Sequence, residues 1–208
     1  MKEGDEVKSV DPIRDKYLLA DIEEYLRKKE VKTKHQEFIR DRNHLIFMFG
    51  VYEGRRISDF IVLKYGDITD DRIEMLEKKT GKENTLYLHD KVIREVKSYA
   101  KKYNLNKSDY LFPSRKRDPI TKLRKPLARN GAYAFLKKDI QDYFGTQTGN
   151  IGTHTLRKTF GYMYYQATHD VVMLQKLFNH ATPTITLDYI GITKDQKREA
   201  IQGFDPFK

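Results

Sequence analysis

Residues 151–190 read IGTHTLRKTFGYMYYQATHDVVMLQKLFNHATPTITLDYI, and the fold turns on how this stretch is divided. Turn residues Gly145, Gly149, Asn150 and Gly152 lead into a helix expected from about Thr153 to Gln166. Two further helices are expected over Asp170–His180 and Thr182–Ile190, and a polar one from Thr193 to about Gln202. His154 and Arg157, three positions apart, would project from one helical face about one turn from each other. His180 is followed nine residues later by Tyr189. Taken singly these features are weak, since a His-x-x-Arg pair is often a surface coincidence and a tyrosine beside an apolar helix is usually core.

Upstream, Asp15–Glu30 places Tyr17, Leu18, Ile22, Tyr25 and Leu26 at helical spacing, and Gln36–Gly54 reads as a more apolar helix stopped by glycine. The segment RRISDFIVLKYGDI that follows looks helical through about Lys64. Arg72–Lys79 and Thr85–His89 flank a Thr-Gly-Lys-Glu-Asn turn and predict two short strands, after which Asp90 can cap a helix running to about Lys102. Ser108–Lys125, punctuated by prolines 113, 119 and 126, reads as an irregular basic loop, and Asn130–Phe144 as a helix. The expected fold class is mostly α with a small antiparallel β-sheet (α+β).

The 208 residues suit one domain. They include 40 Lys and Arg against 30 Asp and Glu, a formal charge of +10. The excess is local: Arg94–Lys138 carries fourteen basic residues against Glu95, Asp109 and Asp118, whereas the first 33 residues are nearly balanced. Solubility alone favours interspersed signs, while phosphate binding favours one sign with arginine among lysine, so the expected partner is nucleic acid. The absence of cysteine excludes disulfides, thiol chemistry and sulfur-ligated zinc. No apolar run reaches the ~18–20 residues of a membrane span, and MKEGDEVKSVDPIRDKY lacks the apolar stretch of a secretory signal, so no membrane partner and a cytoplasmic, nucleoid-associated location are expected.

Four segments together resemble the catalytic domain of the tyrosine recombinases, the phage integrase family. GRRISDFIVLKYGDI is similar to the segment bearing the family's first arginine, KKTGKENTLYL to its lysine hairpin, HTLRKTF to its His-x-x-Arg box and FNHATPTITLDYI to its closing box. The resemblance covers about residues 15–195 and implies a catalytic set of Arg56, Lys79, His154, Arg157, His180 and Tyr189. Arg55 stands where a leucine is commoner and Phe178-Asn179 where Leu-Gly is usual. Arg55 competes with Arg56, but the following Ile-Ser-Asp sets the register on Arg56; Lys82 and Lys78 rival Lys79 in the same way.

What the resemblance implies is a site-specific DNA recombinase that cleaves and rejoins strands through a 3′-phosphotyrosyl intermediate, with no metal, ATP or other cofactor. The residue types suit that reaction. Arginine forks bind nonbridging phosphate oxygens, a phenol becomes nucleophilic as its proton leaves, and imidazole can accept that proton. Lys79 would protonate the leaving 5′ oxygen, and His180 would hydrogen-bond the phosphate. His35, His44, His89 and His169 show no metal-ligand spacing. The expected double-stranded DNA contacts are Lys82, Arg115, Lys116, Arg117, Lys122, Arg124, Lys125 and Arg129. The alternatives are a catalytically silent DNA-binding regulator on the same fold, against which the full residue set argues, and a type IB topoisomerase, against which His154 argues.

The expected organisation is a linker or tail over residues 1–14, a catalytic domain over 15–192 and a tail helix over 193–208. That helix either docks onto a neighbouring protomer assembled on DNA or folds back on its own domain. Family members usually carry a separate core-binding domain before this unit, so the chain reads as an excised catalytic domain or a minimal member.

Overall fold

The computed structural model describes residues 10–76, 83–121, 123–192 and 194–206; the expected site residues Lys79, Lys82 and Lys122 lie outside these. Helix α1 (Lys16–Lys28) starts where the Asp15 carboxylate accepts the amides of Tyr17 and Leu18, and it buries Leu18, Ile22 and Leu26, four residues apart, while Tyr17 stays exposed. Helix α2 (Lys34–Glu53) is capped by Thr33 and buries nearly every side chain from Arg42 to Gly50, so it forms the central rod of the domain. It ends at Gly54, whose φ of +59° is open to glycine without strain.

The helix expected through Lys64 is a single turn, α3 (Ile57–Phe60). Tertiary pairing overrides local propensity here: the Leu63 carbonyl accepts from Leu111, Tyr65 donates to the Asp109 carbonyl, and Lys64 bridges Tyr110 in antiparallel fashion. The chain then forms an antiparallel sheet of β1 (Ile68–Thr69), β2 (Arg72–Leu76) and β3 (Glu83–Tyr87), in that spatial order. Helix α4 (Asp90–Tyr103) is capped by His89, whose Nδ1 accepts from the Lys91 amide, rather than by Asp90, which is the first helical residue.

One small sheet was expected; the described residues form two. The segment read as an irregular basic loop is an antiparallel ribbon of β4 (Pro113–Arg117) and β5 (Arg124–Pro126), with a register shift between its ends. Prolines 113 and 126 face each other at its base, where the Pro113 carbonyl accepts from the Arg42 guanidinium at 2.7 Å. The helix expected over Asn130–Phe144 is interrupted. Helix α5 (Arg129–Leu136) passes into a π-turn over Lys137–Gln141 and then α6 (Asp142–Phe144). The wide turn carries Asp139, which accepts from Lys29 Nζ at 2.6 Å and from the Asn43 amide at 3.4 Å.

Helix α7 (Thr155–Thr168) crosses α2 closely. A Cβ on Gly50 would fall on Leu156, and one on Gly54 on Phe160, so two glycines four apart admit two large side chains four apart. Helices α8 (Val171–Phe178), α9 (Pro183–Tyr189) and α10 (Lys194–Gln202) complete the order. One core runs from α1 through α2, α4 and α5 to Ile151 and Leu156. A smaller one, built on Leu174, Phe178, Ile190 and Ile192, fastens α8 and α9 to the aromatic face of α7.

Residues 10–14, read from sequence as linker or tail, are docked. Ile13 is buried in the main core and its amide donates to Thr159 Oγ1 at 2.9 Å. Asp11 and Asn150 exchange two bonds, with Asp11 N–H on the Asn150 carbonyl and Asn150 N–H on the Asp11 carboxylate.

Candidate active site

Arg56, His154, Arg157, His180 and Tyr189 arrive from four places in the chain and meet around the Tyr189 phenol. Arg157, on the first turn of α7, is only 3% exposed. Its Nη1 donates to the Gly54 carbonyl at 2.8 Å and its Nη2 to the Phe178 carbonyl at 2.9 Å. Those carbonyls lie two residues before Arg56 and two before His180. One guanidinium therefore ties the end of α2 to the end of α8 and sets where both of those side chains begin. The Phe178 ring lies beneath it, 4.1 Å from Cζ to the ring centre.

Arg56 is the N-cap of α3, where its carbonyl accepts from the Asp59 amide, and its exposed guanidinium has no hydrogen bond or ion pair among the described residues. Arg55 is half-buried, and its Nε has no partner among the described residues. Burial pulls its pKa down, against the neighbouring Glu53 and Asp59 carboxylates. The two arginines thus differ in kind: Arg55 is folded back toward the protein, and Arg56 offers its guanidinium outward.

His154 sits at the N-cap of α7, where its Nδ1 lies 3.1 Å from Tyr189 Oη. Burial lowers its pKa first, and the cations Arg129, Arg56, Arg157 and Lys158 lower it further. The imidazole is therefore neutral near pH 7, and in the tautomer that leaves Nδ1 unprotonated it accepts from the phenol. Tyr189 is itself pushed up by burial, a shift opposed by Arg157 and Arg56. Its phenol holds its proton in the free protein while the adjoining cations stand ready to favour the phenolate.

His180 follows Asn179, which closes α8 in the left-handed region at φ 52°. Asparagine tolerates that conformation better than other residues bearing a Cβ, so it can stand at a turn where glycine is usual. Gln175 Nε2 donates to the His180 carbonyl at 2.9 Å, and His180 Nδ1 lies 3.1 Å from Thr186 Oγ1. Burial and the charges of Arg157 and Arg56 lower the His180 pKa as well. The ring stands edge-on to Tyr189, 5.2 Å between centroids.

Three contributors were not singled out from sequence. Thr186, fully buried, fixes the His180 ring. Gln175 holds the His180 main chain. Lys158 places Nζ 5.4 Å from the Tyr189 ring centre while donating to the Val10 carbonyl. A lysine beside Arg157 and a threonine among Thr182, Thr184 and Thr186 carry no spacing signal of their own.

Of the expected DNA contacts, Arg115, Lys116, Arg117, Lys125 and Arg129 are exposed and Arg124 is half-buried. Arg129 is tied to the pocket: its guanidinium donates to Thr153 Oγ1, next to His154, at 3.1 Å through Nη2. Arg124 lies over the Phe38 ring at 4.9 Å, and Lys125 Nζ is 3.8 Å from the Asp118 carboxylate.

Residues 24–196 match the model of the phage integrase family. The chain is also 34% identical over 196 residues to the probable integrase/recombinase YoeC of Bacillus subtilis, covering 94% of this chain and 97% of that protein.

The chain belongs to the phage integrase family.

This tyrosine recombinase is also 26% identical over 178 residues to the tyrosine recombinase XerA of Pyrococcus furiosus, covering 84% of this chain and 58% of XerA. The chain therefore spans nearly all of YoeC and little more than half of XerA. Among solved structures, the fold is similar to that of XerH recombinase in a post-cleavage complex with a palindromic difH substrate, with a TM-score of 0.70 at 23% identity over 94% of this chain and 54% of that one. It is also similar to a lambda integrase dimer bound to a COC′ core site, with a TM-score of 0.61 at 18% identity over 90% of this chain and 49% of that one. The expected fold class, mostly helical with small antiparallel sheets, holds. Among the described residues no helix is long and apolar enough to cross a membrane.

Proposed function

We propose that this integrase-family chain is the catalytic domain of a site-specific DNA recombinase in which Tyr189 attacks a phosphodiester to form a 3′-phosphotyrosyl link and release a 5′ hydroxyl. The observation that carries the reading is the Tyr189 phenol, 3.1 Å from a neutral His154 and flanked by the cations of Arg157 and Arg56.

A phosphodiester repels nucleophiles because its oxygens are anionic, so the site must bring fixed cations to the developing charge. Arg56 offers its whole fork. Arg157 spends one N–H from each terminal nitrogen on main-chain oxygens and keeps the rest to donate. As the Tyr189 oxygen bonds to phosphorus, its proton passes to His154 Nδ1. The Thr186 hydroxyl donates to the Thr182 carbonyl at 3.3 Å; once it leaves that carbonyl and turns toward His180 Nδ1, Nε2 of that ring carries the proton and donates to a phosphate oxygen. Lys79 is the general acid of this reading, supplying the proton that the departing 5′ oxygen takes up. One phosphoester replaces another, so a second strand's hydroxyl can reverse the step without ATP. The exposed arginines and lysines of the β4–β5 ribbon and Arg129 would hold the duplex by its backbone.

The test is covalent capture. The chain is incubated with nicked duplexes from a randomised pool, and protein–DNA adducts are resolved on a denaturing gel. The expected result is an adduct that disappears in Tyr189→Phe. Tight binding with no adduct on any member of the pool would make the chain a DNA-binding regulator instead.

A further inference from the structure

The nucleophile helix α9 has seven residues, too few to hold its own position in water, so whatever secures its ends places Tyr189. Its start is secured locally, by the Thr182 hydroxyl accepting the Ile185 amide and by Pro183 in the first turn. Its end is packed by Ile190 and Ile192 in the smaller core and is also held from the far end of the chain. Gly191, two residues past Tyr189, closes the last turn by donating to the Asp188 carbonyl. The Gly191 carbonyl in turn accepts from Arg14 Nη2 at 3.0 Å, across 177 positions of sequence. The fit is close, because a Cβ on Gly191 would stand 2.8 Å from that nitrogen, and the residue sits at φ +79°.

Arg14 does not act alone. Its guanidinium lies 5.6 Å from the Tyr162 ring centre on α7. The residues just before it are bonded to α7 and to the loop before His154, through Ile13 on Thr159 and Asp11 on Asn150. Val10 gives its carbonyl to Lys158 Nζ at 2.8 Å, the same nitrogen that stands beside the Tyr189 ring. Residues 10–14 thus touch the helix carrying Arg157, the approach to His154 and the exit from Tyr189.

We propose that residues 10–14 form a strap that sets the nucleophile, with Arg14 and Lys158 as positioning residues for Tyr189. Arg14 fixes the C-terminal end of α9, and the strap's Val10 carbonyl holds Lys158 against the face of the phenol ring. Neither residue exchanges a proton or binds the reacting phosphate. Their effect is on how often Tyr189 Oη stands in line with its target, and small displacements of a reacting atom carry large rate penalties.

The inference rests on the recombinase reading for its kinetic part and stands independently for its structural part, so two measurements separate them. In Arg14→Ala, hydrogen exchange of the amides in residues 185–192 is expected to speed up by about tenfold or more while α2 and α4 keep their protection. On the nicked duplex that the wild-type chain cleaves, single-turnover adduct formation from the prebound complex is expected to slow by about tenfold with the dissociation constant unchanged. Arg14→Lys, which can still reach a carbonyl, restores part of both. Lys158→Met slows the same step without loosening residues 185–192. Unchanged exchange over 185–192 in Arg14→Ala overturns the strap, whatever the chain does to DNA. Loosened exchange with an unchanged adduct rate overturns the positioning role. If the wild-type chain forms no adduct, the recombinase reading fails and hydrogen exchange still decides the strap.

Discussion

Nδ1 of His154 lies 3.1 Å from the phenol oxygen of Tyr189, across 35 positions of sequence. Burial and four surrounding cations keep that imidazole unprotonated to a lower pH than the ordinary midpoint of 6.5. A base must be deprotonated to work, so the second-order rate of adduct formation, which reports the free enzyme, is expected to rise with pH through a midpoint below 6.5 and then level off. His154→Ala should remove that limb and slow the reaction by about 10²–10⁴-fold. A limb that persists in the variant would assign the ionisation to another group.

The two arginines of the pocket should separate under mutation. Arg157→Ala strands the Gly54 and Phe178 carbonyls and removes two charge-assisted bonds, so unfolding in urea should show a drop of about 2–4 kcal/mol, and the adduct should vanish as well. The Arg56 guanidinium is exposed and bonded to nothing among the described residues, so Arg56→Ala should change stability by no more than about 0.5 kcal/mol while also abolishing the adduct. Equal destabilisation by the two substitutions would contradict the division of labour drawn from the geometry.

Arg115, Lys116 and Arg117 stand exposed along β4. If they meet DNA phosphates, replacing all three with glutamine should weaken binding to related and unrelated duplexes alike. It should also reduce the slope of log affinity against log salt by about 0.9 for each phosphate no longer neutralised. Filter binding or fluorescence anisotropy at several salt concentrations reads both effects, and an unaltered slope would remove the ribbon from the interface.

Glu53, the last residue of α2, accepts the His89 amide, and burial pushes its carboxyl up to about 7 from 4.5. The folded state therefore binds a proton that the unfolded state has released between those two values. The favourable contribution is complete below pH 4.5, declines as pH rises and is gone above about 7. Glu53→Gln is neutral throughout, so it should stabilise the protein by about 1–3 kcal/mol at pH 8 and leave it little changed at pH 4.5. Denaturant unfolding at the two pH values is the check, and an equal effect at both would point to packing rather than ionisation.

The pocket was more legible in the sequence than the fold that surrounds it. The resemblance named Arg56, Lys79, His154, Arg157, His180 and Tyr189 from four short segments, and the structure gathers the five of them that lie among the described residues. The first two helices were nearly as plain, since Leu18, Ile22 and Leu26 mark the buried face of one and Gly54 the end of the other. What escaped depends on distant partners. Residues 61–64 leave the helical path to pair with 109–111, and the π-turn forms where Asp139 reaches Lys29 and Asn43. Strands β4 and β5 hold together across a gap of basic and turn residues with no alternation to announce them. Val10, Pro12 and Ile13 were the apolar clues to the strap, and so short a run cannot be told from a stray one without partners such as Thr159.

Arg157 reads the course of the backbone as well as the ring of Phe178 beneath it. Its two anchors are main-chain oxygens, so the residues around them can drift as long as the chain keeps its path. Gly54 is held to glycine by its own φ and by Phe160, whereas Asn179 takes the left-handed turn with a side chain in place. A pocket assembled in this way tolerates divergent spelling on either side of its essential letters.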